Sequence, residues 1–204
     1  MNENNTKELK KYLNNFIKLD DLKWQEISAL FTEVTYKKGE HIYSKNEISD
    51  CLYFITDGIV RSYKIEDGKD FTWTFHCLNS DSIEHRMLMD VVVVDYVSFT
   101  QNKKEELAFE VLLDATLLKI HKKDLYKLYE QDIQWQKFAT KMAEDSYAIM
   151  RERTFSLLTK SAKVRLELLL HYFPGVLKKG VKIEYIASYL GITRQSLNRL
   201  LREE

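Results

Sequence analysis

The chain has 204 residues, with 45% apolar and 12% aromatic side chains and a formal net charge of zero. This composition is typical of a globular protein and excludes a mainly disordered, collagen-like or linker-dominated chain. The length allows one large domain or two small ones. No apolar stretch is long enough to cross a membrane, the N-terminus is polar and only two cysteines occur. We therefore expect a cytoplasmic protein without a membrane partner, a signal peptide or a disulfide framework.

The zero net charge hides an uneven distribution along the chain. Residues 151–204 contain 11 basic and 5 acidic side chains, whereas residues 1–150 contain 20 and 26. A basic end on an acidic body is typical of a nucleic-acid-binding module joined to another domain. Chance clustering of charges on solvated helix faces would explain the asymmetry equally well. Charge alone therefore does not distinguish the two explanations, and motifs at defined positions are needed.

Residues 36–75 are predicted to form short strands separated by turns. The Asp67-Gly68 dipeptide suits a two-residue hairpin turn, because both residue types tolerate a positive φ. In the strand that follows, aromatic residues alternate with Thr72 and Thr74, so the rings should face a core. Those aromatic residues are Phe71, Trp73 and Phe75.

Further apolar runs extend this pattern to a predicted sensor domain over residues 1–130. About eight short strands with turn signals at regular intervals predict an antiparallel β barrel or jelly roll. Because helical periodicity follows, the chain as a whole is predicted to have an α+β fold. The apolar runs are Cys51–Ile55, Ile59–Ile65, Val91–Val94 and Phe109–Ile120.

A change in periodicity predicts a long helix over residues 131–158. Its apolar and small positions recur at three- or four-residue steps and their multiples, without a helix breaker. A helix of this length would span about 42 Å, and a small domain cannot easily cover so long a stripe. We therefore favour a symmetric dimer through this helix, with packing on its own domain as the alternative. The predicted dimer interface is Phe138, Met142, Ser146, Ile149 and Leu157.

Residues 159–204 are predicted to form a helix-turn-helix domain. Ala187 is small where two helices would cross, and Gly191 allows the left-handed φ of a sharp turn. Thr193 suits the N-cap of the second helix. Apolar residues would hold the pair to a third helix, and an ordinary helical hairpin is the less specific alternative. The predicted scaffold is Ile186, Ala187, Leu190, Gly191, Ile192, Leu197 and Leu200.

The second helix of this pair carries side chains that can read DNA. In the major groove, arginine pairs with guanine and glutamine pairs with adenine. Because the N-terminal turns of a recognition helix reach the bases, Arg194, Gln195 and Arg199 are predicted to contact bases. The residues predicted to contact phosphates are Lys182, Thr193 and Ser196.

The sequence resembles the Crp/Fnr transcription regulators from about residue 10 to residue 202. The resemblance rests on the glycine-centred turns between Tyr36 and Gly68, followed in order by a long helix and a C-terminal helix-turn-helix. It implies a cyclic-nucleotide-binding-type jelly roll and a cytoplasmic homodimer that pairs through the long helices. Each subunit would then read half of a palindromic operator in double-stranded DNA. RNA polymerase is a further partner that the resemblance allows.

Two departures from the family pattern concern DNA binding. Gln195 stands where many members have glutamate, so the family's operator preference does not carry over. We also expect no C-terminal wing after the second helix. By analogy with the family, a hinge near Thr159–Ser161 would let the sensor domain set the spacing of two recognition helices, about 34 Å on DNA.

Cyclic AMP is not the expected effector. In the cyclic-nucleotide binders of this family, a Gly-Glu pair and a following arginine hold the ribose and the phosphate. Residues 76–100 contain no glycine, and their only arginine is Arg86. A buried phosphate diester would therefore keep an unpaired charge, which is costly. A cyclic-nucleotide-responsive activator is the alternative, and the effector itself is unassigned.

No cofactor, metal or enzymatic activity is predicted. Two cysteines cannot supply an iron–sulfur cluster. The His76-Cys77 pair is similar to a haem-sensor pattern, but adjacent strand residues face opposite sides, and His76, Cys77, Glu84 and His85 lack the paired spacing of metal ligands. The histidines are isolated and no hydrolase motif is present, so an enzyme is not expected. A protein–protein module without DNA binding is the remaining alternative.

Overall fold

The computed structural model describes residues 2–43, 47–78, 91–104, 106–174, 176–177 and 179–203. Within these residues, two helices precede five strands, a short helix lies between the last two strands, and five helices follow. The fold is α+β, which confirms the predicted class. No helix of the described residues is both long and apolar enough to span a membrane. The elements are α1 (Glu3–Leu13), α2 (Asp21–Ser28), β1 (Thr32–Tyr36), β2 (Cys51–Glu66), β3 (Lys69–His76), β4 (Val92–Val93), α3 (Tyr96–Gln101), β5 (Ala108–His121), α4 (Lys122–Gln131), α5 (Ile133–Thr159), α6 (Ala162–Tyr172), α7 (Ile183–Leu190) and α8 (Arg194–Leu200).

The strands form one antiparallel sheet in the order β1-β5-β2-β3, with β4 paired to β2. The predicted strands Cys51–Ile55 and Ile59–Ile65 are one continuous strand, β2, with an irregular register around Gly58. Gly58 has a φ of +90°, and a Cβ there would lie 2.4 Å from the carbonyl oxygen of Asp114. The described residues thus contain five strands, fewer than the eight or so expected from turn signals. The jelly-roll closure stays a prediction.

The connection between β2 and β3 is the predicted two-residue turn. Asp67 and Gly68 both have a positive φ, of 51° and 72°. They join Glu66 directly to its pairing partner Lys69. The Asp-Gly prediction is therefore confirmed, because this turn requires residues that tolerate left-handed backbone angles.

A bulge in β3 changes the expected alternation of its side chains. Two consecutive residues of β2 pair with Thr74 and Thr72, so Trp73 is an extra residue in β3. Beyond the bulge, Thr72 is buried and Phe71 is 51% exposed, whereas Phe75 on the other side is fully buried. The prediction that Phe71 faces a core is therefore wrong.

Buried apolar side chains of the described residues form two clusters, which we call the first and second cores. The first core lies between the sheet and α1, α2, α4 and the N-terminal half of α5, and it includes Phe54 and Leu118. The second core joins Ile59, Phe75 and Leu112 of the sheet to α6, α7 and α8. The C-terminal helices therefore share their core with the sheet.

The long helix α5 begins at Ile133 and ends at Thr159, close to the predicted bounds of 131–158. Its N-cap is Asp132, whose carboxylate accepts a hydrogen bond from the N–H of Gln134 at 2.9 Å. Lys160 is extended and separates α5 from α6. This break lies inside the segment predicted as a hinge.

Candidate nucleic-acid interface

The turn between α7 and α8 is as sharp as a helix-turn-helix requires. Gly191 ends α7 with a φ of +66°, and its N–H donates to the carbonyl oxygen of Ser188 at 3.0 Å. Thr193 begins α8, because its hydroxyl oxygen accepts a hydrogen bond from the N–H of Ser196 at 3.1 Å. A left-handed residue followed two positions later by an N-cap fixes the direction in which α8 leaves the turn.

The apolar residues of α7 and α8 point into the second core. Ile186 and Leu197 have no exposed surface, and Ala187 and Leu190 are almost as deeply buried. Two further side chains, which are only partly buried, pack against the same core. The structure thus brings the predicted scaffold together around the turn. Those two partly buried side chains are Ile192 and Leu200.

The opposite face of α8 is open. Arg194, Gln195 and Arg199, which are predicted to contact bases, are all exposed. Arg194 also pairs with Glu184 of α7, with its Nη1 2.7 Å from Oε1. The side chains of Arg194 and Glu184 are 64% and 50% exposed. This ion pair therefore contributes little to stability and can exchange for a contact with nucleic acid.

The predicted phosphate contacts are divided between two places. Thr193 and Ser196 lie together in the first turn of α8, with their hydroxyl oxygens 3.0 Å apart. Lys182 lies at the N-cap of α7, where its Nζ donates to the hydroxyl of Tyr185 at 3.1 Å. This hydrogen bond raises the pKa of Lys182. The lysine is exposed, but it contacts α7 and not the first turn of α8.

Ser188 fixes α7 to strand β3. Its hydroxyl donates to the carbonyl oxygen of Asp70 at 2.7 Å and accepts from the N–H of Thr72 at 2.9 Å. The ring of the next residue, Tyr189, lies 5.6 Å from the ring of Phe75. No local sequence pattern predicts these contacts, because they join residues that are far apart in the chain.

A buried arginine also joins the sheet to α7. The guanidinium of Arg61 lies between the rings of Tyr63 and Tyr185, at 4.0 and 3.5 Å from their centroids. Its Nη1 and Nη2 donate to Asp70 at 2.7 and 3.0 Å, and Nη2 donates to Glu110 at 2.7 Å. We call these five residues the Arg61 cluster. Arg61 is 1% exposed. Its hydrogen bonds with the two carboxylates offset the free-energy cost of burying its charge.

The chain is similar to a known domain family in sequence and to several solved proteins in structure. Residues 33–132 match the family described as Cyclic nucleotide-binding domain. FixK2 from Bradyrhizobium japonicum is 24% identical, with a TM-score of 0.65 over 85% of this chain and 83% of that chain. A CooA mutant from Carboxydothermus hydrogenoformans is 18% identical, with a TM-score of 0.66 over 95% and 82%. A protein described as a Crp/Fnr family transcriptional regulator, from Eubacterium rectale, is 19% identical, with a TM-score of 0.65 over 95% and 87%.

The chain has the Crp/Fnr fold, and its residues 33–132 are similar to the cyclic nucleotide-binding domain. No curated protein is significantly similar to the chain in sequence. Because their identities are below 25%, the solved structures establish only the fold of this chain. The match to the domain family covers the sheet and reaches the end of α4.

The predicted dimer-interface residues are spread over different faces of α5 in this Crp/Fnr fold. Phe138 and Met142 are each 6% exposed and belong to the first core. Their own chain covers them, so placing these two at a dimer interface was wrong. Ser146 and Ile149 are partly buried, and Leu157 is 40% exposed.

A different face of α5 is exposed along the helix. Tyr147 and Met150 on this face are 71% and 45% exposed. Its residues are separated by alternating steps of three and four, which is the spacing of a coiled-coil seam. Periodicity shows that α5 has stripes of apolar and small side chains, but it does not show which stripe the first core covers. We call this face the α5 seam: Thr140, Ala143, Tyr147, Met150, Thr154 and Leu157.

A cavity of about 180 Å³ lies between the sheet and α5, beside β4 and α3. We call it the sensor cavity, after the predicted sensor domain whose sheet lines it. Inside it, Nε2 of His76 is 3.2 Å from the hydroxyl oxygen of Ser62. Its described lining contains no arginine or lysine. Glu84 and His85, which were considered as metal ligands, and Arg86, the only arginine of residues 76–100, lie outside the described residues.

His76 and Cys77 face different parts of the molecule. His76 lines the sensor cavity, whereas Cys77 is buried in the second core. Adjacent residues of an extended strand point to opposite sides. The two side chains therefore do not point at one site.

One group of potential metal ligands was not predicted from the sequence. Sγ of Cys51 lies 3.2 Å from Nδ1 of His121, and a carboxylate oxygen of Asp50 lies 3.9 Å from the same nitrogen. Burial raises the pKa of Cys51 to about 12, which keeps the thiol protonated. Lys122 and Lys123 line the same depression. A protonated thiol and nearby ammonium groups make this a poor cation site.

Proposed function

We propose that the chain is a dimeric, sequence-specific DNA-binding transcription regulator of the Crp/Fnr type. The observation that carries this proposal is that α8 is exposed while α7 is anchored to the sheet. Arg194, Gln195 and Arg199 would read base edges from α8, because arginine and glutamine form paired hydrogen bonds in the major groove. The excess of basic residues in 151–204 would attract the phosphates.

The phosphate contacts in this proposal come from both helices of the pair. The hydroxyls of Thr193 and Ser196 would contact the backbone beside the bases that α8 reads. Lys182 would contact a phosphate from the first turn of α7. Such contacts set the register of α8 on the duplex but carry no sequence information.

Dimerisation in this proposal uses the α5 seam, which shares only Leu157 with the residues first predicted. Tyr147 and Met150 are exposed apolar side chains at coiled-coil spacing, and a second copy of α5 would bury them. A two-fold axis along this seam would relate two α8 helices. They could then enter successive major grooves, about 34 Å apart, on a palindromic operator.

The sensor cavity is proposed not to bind cyclic AMP. Its described lining contains no arginine or lysine. Residues 76–100 also contain no glycine, which would leave backbone N–H groups accessible to a phosphate. A phosphate diester placed there would lose its hydration without a compensating partner. The match to the cyclic nucleotide-binding domain favours the alternative of a cyclic-nucleotide-responsive activator. A rise in melting temperature or in DNA affinity on adding cyclic AMP would support that alternative.

Selection from random duplexes with the purified full chain tests the proposed function. We expect enrichment of a palindrome, with an affinity whose logarithm falls with the logarithm of salt concentration by roughly 0.9 per phosphate neutralised. If no sequence is enriched and duplex affinity does not depend on salt, the protein–protein module becomes the better explanation.

Substitution of Tyr147 tests the proposed dimer. Tyr147→Lys places a charge in the α5 seam, so we expect monomers in analytical ultracentrifugation and weaker binding to the palindrome. Leu22→Lys is the matched control, because Leu22 on α2 is an equally exposed apolar residue, at 76% against 71%. Equal oligomeric states for both variants would contradict the use of this seam.

A further inference from the structure

A second cavity lies where four elements meet. It is bounded by β3, the C-terminal half of α5, α6 and α7, beside the break at Lys160, and it has a volume of about 80 Å³. We call it the hinge cavity. Space of this size can hold several water-sized molecules or a small organic group. It is separate from the sensor cavity, although Trp73 and Met150 line both.

Two arginines line the hinge cavity without an ion-pair partner among the described carboxylates. Nη2 of Arg153 donates to the carbonyl oxygens of Thr72 and Tyr189, at 3.2 and 3.1 Å. The side chain of Tyr189 is a further hydrogen-bond partner of the guanidinium. These partners are all neutral, so the positive charge of Arg153 has no described carboxylate beside it at the cavity.

The second arginine, Arg165, is bonded to backbone carbonyls. Its Nε donates to Leu190 at 2.9 Å, and its Nη1 donates to Lys160 at 2.6 Å. Glu152 also lines the cavity, but its carboxylate pairs with Lys160 at 2.7 Å. The cavity thus contains two positive charges and one negative charge that is already paired.

The rest of the hinge cavity is mainly apolar and aromatic. Trp73 and Tyr189 both lie beside the Arg153 guanidinium, with ring centroids 5.8 and 3.9 Å away. Leu169 and Phe173 form part of the apolar wall. Burial lowers the pKa of Arg153, which reflects the cost of holding its charge away from water. An anion beside Arg153 would offset that cost.

We propose that the hinge cavity binds a small amphipathic organic anion, a carboxylate with an aromatic or short aliphatic body. The carboxylate pairs with the guanidinium of Arg153, whose planar arrangement of donors suits a carboxylate. The body displaces water from the apolar wall. If the proposed DNA-binding function is also correct, the ligand stabilises the contact of α7 with β3 and so sets the position of α8.

Fluorine NMR of the full chain labelled with 5-fluorotryptophan tests this proposal directly. The chain has three tryptophans, Trp24, Trp73 and Trp135, and Trp73→Phe assigns the resonance of the one in the cavity. Benzoate and hexanoate are the probes. We expect a saturable shift of the Trp73 resonance with both anions, and binding about tenfold weaker for the neutral benzamide. No saturable shift with either anion, or equal binding of benzamide and benzoate, would overturn the proposal.

Three variants locate the binding. Arg153→Met is expected to weaken benzoate about tenfold, whereas Arg151→Met, its exposed neighbour on α5 and not part of the lining, should bind like the wild type. Leu168→Phe fills the cavity while keeping Arg153, so it should also weaken binding even if Arg153→Met is poorly folded. Wild-type binding by both cavity variants, or equal loss in Arg151→Met, would overturn the assignment. Because the assay contains no DNA, its outcome is independent of the proposed function.

Discussion

The two helices of the helix-turn-helix pair are similar in length but differ in their surroundings. The polar side chains of α7 are used inside the molecule: Ser188 bonds to β3 and Tyr185 covers Arg61. The polar side chains of α8 include Gln195 and Arg199, which are exposed. The difference indicates a division of labour, in which α7 fixes the orientation of the pair and α8 is left free to bind.

This division predicts two separable kinds of defect. Substitutions on the α7 side should lower the free energy of unfolding, because they remove buried contacts with the sheet. Substitutions on the exposed face of α8 should change DNA affinity and leave the free energy of unfolding almost unchanged.

The largest expected effect on stability comes from Arg61. Arg61→Met leaves the carboxylates of Asp70 and Glu110 without their partner, so we expect the free energy of unfolding to fall by about 3 kcal/mol. Chemical denaturation followed by circular dichroism measures it. Lys64→Met on the same strand is the control, because its ion pairs with Glu66 and Glu106 are exposed, and it should change stability little. Equal stability of both variants would contradict an anchoring role for the Arg61 cluster.

The next largest effect should appear only in DNA binding. Arg199→Ala removes a predicted paired hydrogen bond to a base, so specific binding should weaken by about 1–3 kcal/mol while the free energy of unfolding stays the same. Titration of the selected palindrome and of an unrelated duplex measures the loss of selectivity. Lys11→Ala removes the same charge from α1 and serves as the control. Wild-type selectivity of Arg199→Ala would remove this residue from the reading face.

A smaller effect on stability is expected at Ser188. Ser188→Ala leaves the N–H of Thr72 and the carbonyl of Asp70 without their partner, at a cost of about 1–2 kcal/mol in the free energy of unfolding. The control is Ser28→Ala on α2, whose hydroxyl bonds only to Gln25 in its own helix. Thermal denaturation of both variants provides the comparison. If Ser188→Ala is no less stable than Ser28→Ala, the hydrogen bonds to β3 do not anchor α7.

The smallest effect should come from the cap of α8. Thr193→Ala removes the hydroxyl that accepts from the N–H of Ser196, which should cost about 1 kcal/mol, whereas Thr193→Ser keeps it. Hydrogen exchange at the N–H of Ser196 reports the cap locally and should speed up only in the alanine variant. Equal exchange rates in the two variants would show that the hydroxyl does not stabilise the start of α8.

The features that the sequence predicted well are encoded by neighbouring residues. The turn at Gly191, the cap at Thr193 and the Asp67-Gly68 hairpin each depend on backbone preferences within a few positions. Those backbone preferences do not depend on contacts with the rest of the chain. This is why the α7–α8 turn and the β2–β3 hairpin could be placed before the structure was known.

The features that the sequence could not predict depend on contacts between distant residues. The bulge at Trp73 has no turn signal of its own, and it exposes Phe71 against the expected alternation. In α5, periodicity cannot tell which stripe is covered by the first core, so Phe138 and Met142 were assigned to the wrong face. The Arg61 cluster joins three strands (β2, β3 and β5) and the helix α7, and no local pattern marks it.

Footprinting of the full chain on its selected palindrome tests the central claim most directly. The account predicts two protected stretches in successive major grooves, about one helical turn apart, that both disappear in Arg199→Ala. Protection of no base on any duplex, or full protection by Arg199→Ala, would contradict the claim that α8 reads DNA.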